Sequence, residues 1–330
     1  MDRARRPDGG GPVPVIDIAP FISGKNPGRG GVVDRVRDAC EDTGFFVITG
    51  HGFPEALTTR IYDVSRAFFD LPAEQKDRIG ETGPVPGGLM HFPFCGEALG
   101  ATLGEPAIRD LKEALDYGPG FYGDPWPAEP PGLEAAWHAY FAEMTSLATE
   151  LRGIFAAALG LQPDYFEDQF RGHLSSIRVI DYPEQPEQPM PGQIRAGTHS
   201  DYGVLTILRT DDAPGGLQVR TRDGRWSDVP HIPGGFVVNI GDAMMRWTDD
   251  HWISTQHRVV NPPADPGRPA RRQSIAYFHN PSRDTVLGCL PPFRREGVPP
   301  RYPPITYGEY AGLRYRQSHG EDKKLELPGG

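Results

Sequence analysis

The first half of the chain carries hydrophobic residues at helical spacing, interrupted by short hydrophobic runs. The spacing predicts helices over 32–40, 54–69 and 133–159, the last a long scaffold helix. Gly44 lies between the first helix and the β-branched and aromatic run FFVIT, which predicts a helix that ends at Gly44 and leads into a strand. Residues 1–12 and the tail GEDKKLELPGG lack hydrophobic periodicity, and we expect them to be disordered.

After residue 175 the pattern changes to short β-type runs separated by turn residues. Seven such runs follow one another: SSIRVIDY, GVLTILRT, GLQVR, GRWSDVP, GFVVNIG, QHRVVNP and RQSIAYF. This texture is typical of an antiparallel sandwich or barrel and not of alternating βαβ units. We therefore predict a mainly β fold with flanking helices and a double-stranded Greek-key core. The chain has no GxGxxG between a strand and a helix and no GxxxxGK[ST], so nucleotide-binding folds have no support.

Composition narrows the class of protein further. The 330 residues carry 44 Asp and Glu against 34 Lys and Arg, a formal net charge of −10. This acidic balance disfavours nucleic acids and anionic membranes as partners. No hydrophobic run approaches the ~20 residues that span a bilayer, and no secretory signal pattern follows the N-terminal MDRARRPDGGG, so we expect a cytoplasmic protein. The three cysteines form no CxxC pair, which argues against a disulfide framework or a zinc–thiolate site.

The pattern with the clearest chemistry lies inside the β-type region. His199 and Asp201 in GTHSDYGVLTIL are two residues apart, so on an extended strand their side chains face the same way. His257 in STQHRVVNP lies on a separate predicted run and can supply a third ligand. Two imidazoles and one carboxylate on one face of a metal leave positions open, an arrangement diagnostic of non-haem Fe(II) oxygenases.

The surrounding sequence strengthens this hypothesis, because an HxD pair by itself arises easily by chance. Arg272 and Ser274 in RRQSIAYFHNP are two residues apart on a predicted strand, and together they can bind a carboxylate. Tyr182 in RVIDYP offers a phenol to the same pocket. The segment between Asp201 and His257 contains hairpin-like turns, which would bring the ligand segments together in a small barrel.

Taken together, the chain resembles the isopenicillin N synthase-like family of Fe(II)- and 2-oxoglutarate-dependent dioxygenases. The resemblance covers residues 13–315 through PVIDIAPF, DTGFFVITGHG, FFDLPAEQK, DLKEALDYG, HSDYGVLTIL, GGLQV, IPGGFVVNIGDAM, HRVVNP and RQSIAYFHNP. It implies a double-stranded β-helix core (jelly roll, cupin-like) in one domain, 1–330. Within it we predict an N-terminal cover over 13–130, scaffold helices over 131–172, the jelly-roll core with the metal site over 173–282, and a C-terminal cover and tail over 283–330.

Carried over position by position, the resemblance assigns roles to individual residues. It makes three residues the iron ligands and catalytic residues: His199, Asp201 and His257. Arg272 and Ser274 then bind the distal carboxylate of 2-oxoglutarate, and Tyr182 approaches its keto-acid end. The family often has an Asn two residues before that tyrosine, where this chain has Ile180, a departure that affects one contact to the co-substrate.

The resemblance also implies Fe(II) as cofactor, 2-oxoglutarate and O2 as co-substrates, and ascorbate as an auxiliary reductant. 2-Oxoglutarate would be converted to succinate and CO2 while an unactivated C–H bond of a small molecule is hydroxylated or desaturated. Two alternatives stay open. Isopenicillin N synthase and the ethylene-forming aminocyclopropane oxidases share the iron ligands without using 2-oxoglutarate. A jelly-roll chain can also be a non-catalytic binding protein, although that requires a replaced ligand and none is replaced here.

Substrate recognition in this architecture comes from the mouth of the barrel and its covering segments, GGLMHFPFCGEAL and TYGEYAGLRYRQS among them. The candidate substrate residues are Met90, Phe92, Arg178, Tyr202, Arg246 and Phe278. His279 has an odd offset from Ser274, which places it on the opposite face of the strand. We expect a small hydrophobic or peptide-like metabolite as substrate, with a free amino acid as the alternative, and a monomer or weak homodimer. The excess of Arg over Lys and the abundance of Ala, Gly and Pro favour bacterial specialised metabolism such as antibiotic biosynthesis.

Overall fold

The computed structural model describes residues 11–24, 28–76, 79, 84–184, 189–213, 216–263 and 269–319. The expectation of disordered ends falls mainly on 1–10 and 320–330, which lie outside these ranges. Within them, every helix is too short or too polar to cross a membrane. Cys40, Cys95 and Cys289 are free thiols.

Strands and helices follow one another throughout the described residues. The strands are β1 (Val15–Asp17), β2 (Phe45–Thr49), β3 (Val85–Pro86), β4 (Leu89–Phe92), β5 (Glu113–Tyr117), β6 (Tyr122–Gly123), β7 (Ser176–Tyr182), β8 (Ala196–His199), β9 (Leu205–Thr210), β10 (Leu217–Arg220), β11 (Trp226–Asp228), β12 (Phe236–Ile240), β13 (His257–Val259), β14 (Arg272–His279), β15 (Val286–Leu287) and β16 (Ile305–Thr306). The α-helices are α1 (Ala19–Ile22), α2 (Arg29–Asp42), α3 (Glu55–Phe69), α4 (Ala73–Lys76), α5 (Leu133–Ala158), α6 (Asp242–Trp247) and α7 (Tyr307–His319). The three predicted helices are confirmed as α2, α3 and α5.

Two sheets form the core of the molecule. The large sheet has the strand order β1-β2-β12-β9-β14-β7-β5-β4, and the small sheet has the order β11-β10-β13-β8. Strands β1 and β2 are parallel, and the other neighbours in both sheets are antiparallel. From β7 to β14 the chain passes repeatedly from one sheet to the other, which is the winding of a jelly roll. The predicted double-stranded β-helix core is confirmed.

Helices α2, α3 and α5 pack together, and α5 lies against the outer face of β14. Helix α5 buries one long stripe, in which Trp137 and Phe155 are fully inaccessible. Two polar contacts lie along this helix: Trp137 Nε1 donates to Ser65 Oγ at 3.0 Å, and the hydroxyls of Thr145 and Tyr277 lie 2.8 Å apart. Burial of each large apolar side chain contributes about 1.5–3 kcal/mol relative to exposure. The packing of α5 therefore stabilises the large sheet.

Gly44 ends α2 as predicted. Its φ is +67°, and its amide donates to the Ala39 carbonyl at 2.8 Å, which closes the last turn of the helix. A Cβ atom at this position would lie 1.9 Å from the backbone oxygen of Ile253. The glycine is therefore required twice, once for the left-handed backbone and once for the close approach of a neighbouring loop.

All seven predicted β-type runs contain a strand, but the sequence pattern missed others. Strands β4 and β5 extend the large sheet beyond β7, and β8 supplies an edge of the small sheet. Strand β8 has the sequence AGTH, in which Gly197 and the lack of consecutive β-branched residues hide the strand. Strand β5 has the sequence EALDY, whose residues favour helix locally, and pairing with β4 and β7 overrides that preference.

Candidate active site

A cavity of about 460 Å³ lies between the two sheets and receives side chains from both. Along β14 the alternate residues Arg272, Ser274 and Phe278 face this cavity. Tyr277 and His279 point to the opposite face, where Tyr277 contacts α5 and the imidazole of His279 stacks on a phenylalanine ring. The odd-offset prediction for His279 is confirmed.

His199, Asp201 and His257 meet at one end of the cavity. His199 ends β8 and His257 begins β13, and the two residues are direct partners in the antiparallel register. Their ring centroids are 4.2 Å apart, and His257 Nε2 lies 3.7 Å from Asp201 Oδ1. The ligand atoms of the three residues all lie within 4.8 Å of one another, and no other such His, Cys, Asp or Glu group exists among the described residues. The hypothesis that an HxD pair and a distant histidine converge agrees with this geometry.

Backbone carbonyls set the tautomer of both histidines. His199 Nδ1 lies 2.8 Å from the Gly197 oxygen, and His257 Nδ1 lies 3.1 Å from the Thr255 oxygen. Because a carbonyl only accepts, each Nδ1 must carry the proton. In the neutral ring each Nε2 then has its lone pair available, which is the form of imidazole that binds a metal.

The carboxylate of Asp201 is oriented in the same manner. Its Oδ2 accepts hydrogen bonds from Thr206 Oγ1 at 2.5 Å and Asn239 Nδ2 at 2.7 Å. Thr206 is on β9 and Asn239 is on β12, so the large sheet holds one oxygen of the aspartate and leaves Oδ1 toward the two imidazoles. Neither polar residue was anticipated from the sequence pattern.

Burial and mutual proximity determine the protonation of this group. Burial, followed by the neighbouring His257, lowers the pKa of His199 to about 3, so its imidazole is neutral at physiological pH. Burial acts to raise the pKa of Asp201, but His257, His199 and the two hydrogen bonds outweigh it and the pKa is lowered. Neutral imidazoles and an ionised carboxylate are the forms in which these side chains act as metal ligands.

Arg272, Ser274 and Tyr182 meet on the central strands of the large sheet. Tyr182 on β7 is the register partner of Arg272 on β14, and the Arg272 Cζ lies 5.2 Å from the centre of the tyrosine ring. Arg272 is 3% exposed, and its Nη1 has no hydrogen-bond partner within the described part of the chain. Its nearest acid is Asp211, at 3.8 Å from Nε. A buried guanidinium with an unused donor fits an anionic ligand such as a carboxylate.

Ile180 lies next along the same face of β7, paired with Ser274 in the register. It lines the cavity with a hydrocarbon side chain. The hydrogen bond that an asparagine would supply at this position is therefore absent.

Five of the six candidate substrate residues line the cavity: Met90, Phe92, Arg178, Tyr202 and Phe278. Met90 and Phe92 alternate on β4 with His91, whose Nε2 lies 2.7 Å from Glu113 Oε1 on the other face. The sixth candidate, Arg246, is not among the cavity-lining residues described. Its Nη2 donates to the Pro303 carbonyl at 2.7 Å, and its guanidinium lies over the Tyr302 ring. These contacts direct the Arg246 side chain from α6 to the C-terminal segment.

Arg178 belongs to a buried charge cluster that the sequence pattern did not reveal. Its guanidinium donates to both oxygens of Asp116, at 2.6 and 2.7 Å, and to both oxygens of Glu97, at 3.1 Å each. Lys112 lies 3.2 Å from Glu97 and 3.0 Å from Asp110. Lys112 and Asp116 are an even number of residues apart in DLKEALDYG, so they share one face if that segment forms a strand. This spacing is the sequence signal that could have identified the two residues.

Helix α7 covers the same cavity from the C-terminal side, to which it contributes Tyr307, Ala311 and Tyr315. Arg314 on this helix pairs with Asp242 at 2.9 Å and lies over the Tyr202 ring at 4.4 Å. Because the Asp242 amide donates to the Asp201 carbonyl at 2.8 Å, the helix is connected directly to the segment that carries the aspartate.

The fold and the site together define a class of protein. A jelly roll that presents two imidazoles and a carboxylate in one cavity with a buried arginine is typical of the non-haem iron oxygenases. Family models match both halves of the chain: "non-haem dioxygenase in morphine synthesis N-terminal" over residues 13–133, and "2OG-Fe(II) oxygenase superfamily" over residues 174–281. The chain belongs to the 2-oxoglutarate- and Fe(II)-dependent oxygenase family, as the sequence motifs indicated.

Known relatives are similar over nearly the whole chain. The 2-oxoglutarate-Fe(II) type oxidoreductase hxnY of Emericella nidulans is 32% identical over 338 residues, covering 95% of this chain and 93% of the relative. The validamycin A dioxygenase of Streptomyces hygroscopicus subsp. limoneus is 31% identical over 292 residues, covering 84% and 79%. Among solved structures, a full-length Neurospora crassa protein in complex with alpha-KG and thymine has a TM-score of 0.80 at 29% identity, covering 92% and 96%. Membership of the family makes the protein an oxidoreductase that uses Fe(II), 2-oxoglutarate and O2.

Proposed function

We propose that this protein hydroxylates or desaturates an unactivated C–H bond of a small molecule in bacterial specialised metabolism, with release of succinate and CO2. The observation that carries the proposal is the pairing of two sites in one cavity. Three convergent ligand atoms lie at one end, and a buried arginine with an unused donor lies on the facing sheet. Similarity to a Streptomyces dioxygenase named for validamycin A supports the metabolic setting.

In this proposal His199 Nε2, Asp201 Oδ1 and His257 Nε2 hold the iron. Arg272 and Ser274 hold the distal carboxylate of 2-oxoglutarate, and Tyr182, which packs on the arginine from the neighbouring strand, approaches the keto-acid end. When bound, iron and 2-oxoglutarate together supply the activation of O2 for attack on a C–H bond. The donor set suits this chemistry, since a facial group of two imidazoles and one carboxylate leaves coordination positions for co-substrate and O2.

The protein's own contribution is orientation and exclusion of water. The carbonyls of Gly197 and Thr255 fix both imidazole rings, while Thr206 and Asn239 fix the aspartate, so the ligand atoms are in place before a metal arrives. Helix α7 and strand β4 close the cavity around the substrate. Ascorbate is the auxiliary reductant in this proposal, and the protein acts as a monomer or weak homodimer in the cytoplasm.

Anaerobic reconstitution with Fe(II) and 2-oxoglutarate tests the assignment of the arginine. The chelate of iron and 2-oxoglutarate gives a weak visible absorption band, and we expect this band in the wild type. In Arg272→Ala it should require at least about tenfold more 2-oxoglutarate, because a charge-assisted hydrogen bond in a buried site is lost. Arg220→Ala, which removes an arginine from the exposed end of β10, is the matched control and should behave as wild type. An unchanged titration in Arg272→Ala would contradict the proposed co-substrate site.

A further inference from the structure

The charge cluster of Glu97, Asp110, Lys112, Asp116 and Arg178 forms one wall of the cavity and takes no part in the proposed iron or 2-oxoglutarate sites. Glu97, Lys112, Asp116 and Arg178 line the cavity directly, and Asp110 lies behind Lys112. All five side chains are at most 15% exposed. Buried charge of this density is costly in free energy unless it serves recognition or is fully paired.

Both cations of the cluster are already matched by acids. Arg178 is held in a fork by Asp116 on one side and by Glu97 on the other. Lys112 is held between Glu97 and Asp110. Over the whole cluster three carboxylates accompany two cations, an excess of one negative charge. The third carboxylate, Asp110, lies behind Lys112 and accepts from the amides of Leu99 and Gly197. A substrate carboxylate entering here would find its counter-ions occupied and would add to that excess.

The residues at the proposed iron and 2-oxoglutarate sites do not compensate the excess negative charge of the cluster. At that end Arg195 and Arg272 equal Asp201 and Asp211 in number, and bound Fe(II) would offset the two charges of 2-oxoglutarate. Burial raises the pKa of Asp116, and the adjacent Arg178 acts in the opposite direction. The excess negative charge of the cluster therefore remains beside the part of the cavity that Asp116 on β5 and Arg178 on β7 line.

Aromatic residues surround the charged wall. Phe92 lies beside Arg178, with 4.8 Å between its ring centre and the guanidinium carbon, and Phe121, Tyr122, Phe278 and Tyr315 line the same cavity. Carboxylates combined with aromatic faces form the chemical environment that binds organic ammonium, amidinium and guanidinium groups.

We infer that the substrate is a small organic cation, with an ammonium, amidinium or guanidinium group placed against Asp116 and Glu97, and that carboxylate-bearing molecules are rejected. The inference rests on the proposed function, because it names the second occupant of the cavity that holds iron and 2-oxoglutarate. It restricts the expected substrate class: among amino acid-like molecules, only those with a cationic group and a masked carboxyl group fit.

Three probes of the same shape and different charge test the inference: benzamidine, benzamide and benzoate. Each is titrated by calorimetry, without O2, into enzyme loaded with Fe(II) and 2-oxoglutarate. We expect the affinity to fall in the order cation, neutral molecule, anion, with about tenfold or more between benzamidine and benzoate, as for one charge-assisted contact. Equal affinities, or the absence of saturable benzamidine binding, would overturn it.

Substitutions then test whether Asp116 and Glu97 are the residues that bind the cation. In Asp116→Asn the preference for benzamidine over benzoate should fall about tenfold, and Glu97→Gln is a second variant for the case in which the first does not fold. Asp168→Asn removes the same charge from an exposed site, where the carboxylate is 85% exposed, and should retain the preference. A preference that survives in both cluster variants would contradict the inference. The absorption band of bound 2-oxoglutarate, followed in the same samples, distinguishes this failure from a failure of the proposed function.

Discussion

At the scale of single residues, the site depends on side chains that never meet the metal. Asp201 could rotate and offer either oxygen, but Thr206 and Asn239 hold Oδ2 from two strands of the large sheet. This arrangement selects one oxygen and aims it at the point where the two imidazoles converge. Pre-orientation of this kind raises metal affinity, because less conformational freedom is lost on binding.

A valine in place of Thr206 should therefore weaken iron binding. Thr206→Val keeps the shape and removes the hydroxyl donor to Asp201, and we expect Fe(II) affinity to fall about 10–100-fold. Thr206→Ser keeps the donor and should bind iron as the wild type does. Anaerobic competition with a chromophoric chelator measures both affinities. A serine variant as weak as the valine variant would show that packing and not the hydrogen bond is responsible.

The sequence predicted the three proposed iron ligands but not the residues that orient them. His199, Asp201 and His257 could be predicted because two of them are two residues apart in a recognisable motif, although Asp201 follows the end of β8. Asn239 could not, since its contact with Asp201 spans 38 residues and depends on which strands become neighbours. Asp116 was hidden for a related reason: its segment has helix-forming residues and becomes a strand only through pairing with β4 and β7.

At the scale of secondary structure elements, Gly44 and Gly160 form a matched pair of helix stops. Gly44 follows α2 with φ +67°, and Gly160 follows α5 with φ +69°. A Cβ at Gly44 would collide with the Ile253 oxygen, whereas a Cβ at Gly160 would meet no atom within 4 Å. Substitutions at the two positions therefore distinguish the cost of a strained backbone from the cost of a steric collision.

Alanine at these two positions should have unequal effects. Gly160→Ala should cost about 1–2 kcal/mol, the penalty of a left-handed conformation for a residue with a Cβ. Gly44→Ala should cost more than that, because the loop carrying Ile253 must also move. Urea unfolding of both variants measures the difference in the free energy of unfolding. Equal losses would mean that the loop relaxes without cost.

Helices and strands with a periodic hydrophobic pattern could be predicted from the sequence. Strands that form only because a neighbouring strand pairs with them could not. Helix α5 could be predicted because its buried stripe extends over 26 residues. Strand β8, with four residues, is fixed by its partner: His199 aligns with His257, and the register shifts before Val259. The position of the metal site at the edge of the small sheet thus follows from pairing and not from local propensity.

At the scale of the whole molecule, buried ionisable groups link stability to pH. His279 is 1% exposed, stacks on Phe170 with 4.3 Å between ring centroids, and has its Nδ1 2.9 Å from Ser175 Oγ. Burial, followed by the nearby Arg152 and His173, lowers its pKa well below the usual value. The folded protein therefore keeps this imidazole neutral where the unfolded chain would protonate it.

The sign of the pH dependence follows from this difference. Above a pH of about 6.5 both states are neutral at His279 and stability does not depend on this group. As the pH falls below that value the unfolded chain gains a proton and the folded chain does not, so stability decreases by up to about 1.4 kcal/mol per pH unit. Urea midpoints at pH 7.5 and 5.5 should differ less in His279→Gln than in the wild type.

A histidine on the surface provides the comparison for His279. His231 is exposed, and His231→Gln should retain the pH dependence of the wild type. If His279→Gln and His231→Gln show the same dependence, the acid sensitivity arises from other groups.

The three functions proposed for the cavity occupy separate parts of the fold, and this separation has a consequence for how such enzymes diversify. Two of the three proposed iron ligands belong to the small sheet, and the proposed co-substrate residues belong to the central strands of the large sheet. Four of the five residues of the charge cluster lie in the segment 97–116, which leads into β5 near the edge of the large sheet and is far in the chain from both other parts. Arg178 joins them from β7, and helix α7 contributes to the same cavity from the opposite terminus. Substitutions in the charge cluster can therefore change which molecule is oxidised without changing the residues proposed to bind iron and 2-oxoglutarate. We expect the substrates of related enzymes to differ mainly through residues at this edge of the large sheet.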